Sequence, residues 1–110
     1  VLVIDPVKAP AVKEIDSSLE SMQKVVGGYI QALFPFENPV ALVCNEEGKL
    51  LGLPLNRALR DEDGNVYDIV SGTFFLCSAP SDSENFESLT DEQIEKYKKR
   101  FEALEIYITY

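Results

Sequence analysis

VYDIVSGTFFLCSA, residues 66–79, is the most apolar stretch of the chain, and how it is read decides the fold. Its β-branched and aromatic side chains point to one or two strands. They should bend near Gly72, because a glycine inside a strand marks a bulge or a close backbone approach. Upstream, residues 29–34 read as an aromatic and aliphatic strand that Pro35 ends. Residues 40–44 read as another, with Pro39 at its entrance. The polar run Asn45-Glu46-Glu47-Gly48 follows, and Lys49 to Leu51 resumes an apolar pattern, which together read as a hairpin. GLPLNRAL, residues 52–59, has no clean period and carries Pro54. It reads as an ordered loop with a helical turn after the proline. RDEDGN, residues 60–65, is a polar turn.

Toward the N-terminus, residues 1–4 read as a first strand and residues 11–15 as a weaker second. A helix then starts with Ser17 as its cap and Glu20 closing a capping box. Leu19, Met22, Val25 and Val26 form its apolar stripe, and Gly27-Gly28 stops it. Toward the C-terminus, a polar linker over 80–87 leads to a second helix. Thr90 caps this helix and Gln93 closes the box, while Leu89 and Ile94 staple its start. Ile94, Tyr97, Phe101 and Leu104 make its buried stripe. Asp91 and Glu92 suit the positive end of its dipole, and Lys98, Lys99 and Arg100 the negative end. The closing IYITY reads as an edge strand or a tail. The expected architecture is a single α+β domain over residues 1–110. It has a mainly antiparallel sheet of about five strands with two helices packed on it as a two-layer sandwich.

Charge and composition narrow the function. The net charge is −9, from 19 acidic and 10 basic residues, and four of the bases gather at Lys96, Lys98, Lys99 and Arg100. Such a surface repels phosphate backbones and anionic membranes, so neither direct nucleic-acid binding nor membrane association is expected. No apolar run approaches the ~20 residues that a spanning helix needs, and VLVID lacks the basic start of a signal peptide. The expected location is the cytoplasm. There is no histidine, which excludes Ser-His-Asp and Cys-His arrangements and removes the commonest general base. Cys44 and Cys77 sit in apolar segments and read as buried thiols, too few for a zinc site. Asp61, Asp63 and Asn65 resemble the start of a calcium loop, but Gly72 stands where the closing glutamate belongs. No metal and no cofactor is expected.

The polar groups that remain gather around one rim. Asn45, Glu46, Glu47, Lys49, Asn56 and Arg57 lie between two apolar stretches, with Gly27, Gly28 and Tyr29 on one side and Asp68 on the other. Arg57 is the candidate to grip an anion, because guanidinium offers five donors in a planar fork. Its alternative role is to tie the loop to the hairpin through Glu46, Glu47 or Asp68. Tyr29, Phe34, Phe36, Phe74 and Phe75 read as core, with a stacking platform as the alternative.

The run from Val26 to Cys77 resembles a family known as domain of unknown function 3846. The likeness rests on VGGYI at 26–30, NEEGKL at 45–50, GLPLNRA at 52–58, the D-I-V-x-G-x-F pattern from Asp68 to Phe74, and Ser88-Leu89-Thr90. It covers nearly the whole chain. It implies a phage, plasmid or conjugative-element protein inside a bacterial cell, and it brings no catalytic residues. The resulting expectation is a non-enzymatic binding module. Its partner would be a host or element-encoded protein or a small anionic ligand. One alternative is an anti-defence protein that sequesters a nucleotide-like anion or mimics the charge of DNA. Another is a metal- or carboxylate-dependent hydrolase.

Overall fold

Strands with apolar residues on both faces need cover on both faces, and the chain provides it from three directions. The structure is a computed structural model and describes residues 1–16, 18–82 and 86–103. Its elements are β1 (Leu2–Ile4), β2 (Ala11–Val12), α1 (Leu19–Val26), β3 (Ile30–Leu33), β4 (Val40–Asn45), β5 (Leu55–Arg60), β6 (Val66–Ser71), β7 (Phe74–Ser78) and α2 (Asp91–Phe101). Five strands form an antiparallel sheet in the order β2-β1-β7-β4-β3, and β5 and β6 form a separate antiparallel ribbon. The expected α+β class and five-strand sheet are present.

The layering differs from the expected sandwich of two. Alternation along the strands sends Leu2, Ile4, Leu42, Phe74 and Leu76 to one face, where they meet Tyr97 and Phe101 of α2 and Leu59 and Val70 of the ribbon. Val3, Ala41, Val43, Phe75 and Cys77 point to the other face and meet Val26, Met22 and Val25 of α1. The helices therefore lie on opposite faces, and the architecture has three layers. The physical reason is in the central strands. All six residues of β4 are buried, so neither face could be left to water.

Several local expectations change for non-local reasons. Residues 66–79 do form two strands, but β6 and β7 belong to different sheets, and Gly72 at φ 82° carries the chain between them. The hairpin expected between 40–44 and 49–51 is absent. Residues 46–52 form turns, and β4 takes its partners from β3 and β7. The loop expected over 52–59 is largely strand β5. Pro54 stands just ahead of that strand, where no ladder hydrogen bond is required of it, and its carbonyl accepts from the Gly72 amide at 2.7 Å. Tyr29 and Phe34 are exposed, not core, because each sits beyond an end of the edge strand β3. The N-cap of α1 is Ser18, whose hydroxyl accepts from the Ser21 amide. Ser17, residues 83–85, Leu104 and the IYITY ending lie outside the described residues.

The second helix starts where the sequence signals it. Thr90 Oγ1 accepts from the Gln93 amide at 3.2 Å, and Gln93 Oε1 accepts from the Thr90 amide at 3.0 Å. Leu89 is buried and Ile94 packs against the same core cluster, as a hydrophobic staple requires. Thr90→Ala should therefore lower the unfolding free energy by about 0.5–2 kcal/mol. A denaturant titration checks this, and an unshifted midpoint would mean that the cap contributes nothing. Among the described residues, no helix is long and apolar enough to cross a membrane.

Candidate functional site

The polar turn after β4 is held in place by its first residue. Asn45 is buried, and its Oδ1 accepts from the Glu47 amide at 2.8 Å while its Nδ2 donates to the Val26 carbonyl at the end of α1 at 3.2 Å. The helix ends there because Gly27 adopts φ 77°, which lets its own amide and that of Gly28 reach the Gln23 carbonyl. Gly28 lies against Asn45, so that an added Cβ would meet Nδ2 at 2.8 Å. The Glu46 amide donates to the Tyr29 carbonyl at 2.8 Å. The structure thus brings Gly27, Gly28 and Tyr29 together with Asn45, Glu46 and Glu47, as the sequence suggested.

Past Glu47 the chain coils on itself. The Leu51 amide donates to the Glu47 carbonyl at 2.8 Å and the Leu53 amide to the Gly48 carbonyl at 3.0 Å. Gly48 is pressed against β6, where an added Cβ would stand 2.8 Å from the Ser71 carbonyl oxygen. Lys49 reaches across to pair with Asp68. That hydrogen bond holds the Asp68 carboxyl below the usual carboxylate range. Between the turn, β3 and β6 lies a cavity of about 130 Å³, lined among others by Cys44, Glu46, Lys49, Asp68 and Ser71. Ser71 is 5% exposed, and its hydroxyl finds no partner among the described residues.

Sequence reasoning missed what this coiled turn displays. Leu50 is 88% exposed and Leu51 57%, and Tyr29, whose carbonyl accepts from the Glu46 amide, is exposed too. Lys49 to Leu51 looks like the start of a strand, and a strand would have turned one of the two leucines inward. The tight turn ending at Gly52 turns both outward.

Asn56 and Arg57 do not belong to this site. Both are buried in β5. Asn56 Nδ2 donates to the Ile4 and Gly72 carbonyls at 2.8 and 2.9 Å. Arg57 Nε donates to the Phe101 carbonyl at 3.0 Å, Nη1 to Asn56 Oδ1 at 2.7 Å and Nη2 to the Lys8 carbonyl at 2.7 Å. The guanidinium ties the ribbon to α2 and to the β1–β2 connection. It is 1% exposed, so it offers no fork to an anion in solution.

The remaining chemistry is muted. Cys44 and Cys77 are free thiols on opposite faces of the sheet. Burial raises the pKa of both, that of Cys77 to about 12, so each stays protonated near neutral pH. Asp61 Oδ1 accepts from the Asp63 and Asn65 amides, which is a polar turn closing β5 onto β6. Among the described residues, no three acidic or cysteine side chains converge on a point where a metal could sit.

Residues 1–102 match the family model described as Domain of unknown function (DUF3846). No curated protein matches the chain, and no solved structure matches it.

Proposed function

Because the chain belongs to the DUF3846 family, whose description carries no activity, we propose from geometry that it is a non-enzymatic binding module. It docks to a protein partner through the turn at 46–51. The observation that carries this reading is the pair of exposed leucines, Leu50 and Leu51, on a turn whose backbone is pinned at Asn45, Gly48 and Lys49. Apolar side chains held out on a pre-ordered loop lose little freedom when they bind, and their burial is favourable. Tyr29, exposed and joined to the turn through the Glu46 amide, is a residue type enriched in interface centres, and the exposed Glu46 and Glu47 form an acidic rim. The fitting partner surface is an apolar pocket with basic edges, on a host or element-encoded protein in the cytoplasm of a bacterial cell. The small-anion alternative drew on Arg57 and on backbone amides near the glycines; Arg57 is interior, and the Gly27 and Gly28 amides donate to the Gln23 carbonyl.

The test is a pair of purifications of tagged protein from native cells, followed by native mass spectrometry. Wild type should retain a protein partner. The double variant Leu50→Asp/Leu51→Asp should lose at least about tenfold of it, the equivalent of 1.4 kcal/mol. Because both leucines are exposed, the variant should melt where wild type does. Equal retention by the variant, or turnover of a substrate by the purified chain, would overturn the proposal.

A further inference from the structure

Among the described residues, the cover on the face of the sheet that carries α1 is narrower than the sheet. Five strands spaced about 4.8 Å apart span roughly 19 Å, whereas one helix covers about 10 Å of that width. At eight residues, α1 is also only about 12 Å long. It packs chiefly over β3, β4 and β7. Alongside it, toward β1, lies a cleft of about 480 Å³. Phe75 and Cys77 form its floor, with half-buried Ile15, Met22 and Phe86 above them. Glu14, Asp16 and Glu87 stand around it, all on exposed residues. Among the described residues, no lysine or arginine side chain lines it; the cation in its lining is the Val1 ammonium, which donates to the Lys13 carbonyl at 2.9 Å.

We propose that this cleft receives a basic amphipathic segment of a partner protein. One or two large apolar side chains of that segment enter between Met22, Ile15 and Phe86, and its lysines or arginines meet Glu14, Asp16 and Glu87. Charge complementarity selects this occupant. Three carboxylates around an apolar opening, on a chain of net charge −9, disfavour an acidic segment and attract a basic one. Met22 suits the purpose, since an unbranched thioether adapts its shape to what it packs against. None of residues 46–51 lines the cleft, and the proposal does not depend on the role assigned to that turn.

The probe is a synthetic Leu/Lys amphipathic peptide, with a Leu/Glu peptide of the same length as its counterpart, titrated calorimetrically into the full chain at low salt. The Leu/Lys peptide should bind and the Leu/Glu peptide should not. Glu14→Lys/Glu87→Lys should weaken binding by about tenfold or more. Glu62→Lys/Asp63→Lys makes the same change in net charge at the exposed turn between β5 and β6 and should alter affinity by less than about twofold. Ile15→Asp adds a carboxylate, yet should weaken binding, because it removes part of the apolar wall. Equal losses in the two charge-reversal variants, tighter binding by Ile15→Asp, or no binding by wild type would each overturn the proposal. Circular dichroism of every variant establishes that the comparison is between folded proteins.

Discussion

Arg57→Ala is expected to cost about 3 kcal/mol or more of stability, a large fraction of what holds a domain of this size together. The substitution removes the largest side chain that the structure buries fully. It leaves the Phe101 and Lys8 carbonyls and Asn56 Oδ1 without the donors that now reach them. Each buried polar atom left unpaired costs about 1–3 kcal/mol, and the emptied volume adds a cavity penalty. The effect should spread to the β1–β2 connection. Val7 there holds φ 52°, a left-handed conformation that costs a β-branched residue roughly 1–2 kcal/mol. Lys8, next in the chain, is fastened by Arg57. Arg57→Lys should recover little, since one ammonium on a flexible stem cannot reproduce a planar fork aimed at three acceptors. Urea denaturation of the variants checks the expectation. A midpoint unchanged from wild type would show that the buried guanidinium contributes nothing to the fold.

Gly48→Ala is the second substitution with a large expected effect, and it couples stability to the binding surface. Its Cβ would stand 2.8 Å from a backbone oxygen of Ser71, and backbone on both sides leaves no flexible side chain to give way. The turn must move off β6, at a cost of about 1–3 kcal/mol. Because Lys49 and Leu50 follow directly, the Lys49–Asp68 pair should loosen and the leucines should lose their fixed display. The expected result is a lower melting temperature together with partner retention reduced about tenfold, as for Leu50→Asp/Leu51→Asp. Solution NMR would locate the change, with the largest shifts at Asp68 and Ser71. Shifts confined to Gly48 and its chain neighbours would mean that the turn adapts without leaving β6.

The two positions differ in how visible they are from sequence. Gly48 sits in a polar run that any reading marks as a turn, and the convergence of Gly27, Gly28, Tyr29 and Asn45 to Glu47 follows the sequence grouping closely. The setting of Arg57 is hidden in the sequence, because an arginine between apolar stretches reads both as a grip for an anion and as a tie within the fold. Nothing local says that three acceptors from residues 1, 44 and 49 positions away will arrive around it. Pro54 and the missing period hid β5 in the same way. Its four middle residues, Asn56 to Leu59, are all buried, so no polar face is left to set an alternation.

Short-range interactions alone determined a good part of this molecule. The capping box of α2, the glycine stop of α1 and the strand character of 40–44 and 66–79 follow from residues within a few positions of one another, and all stand in the structure. Which strands pair, which face each helix covers, and whether a polar side chain ends inside or outside were decided by tertiary structure. Those outcomes depend on surfaces brought together from distant parts of the chain. β4, for example, prefers β7, more than thirty residues away, to the segment that follows it directly. A strand buried on both faces has no polar edge pattern to record its neighbours, so only the packed core can assign them.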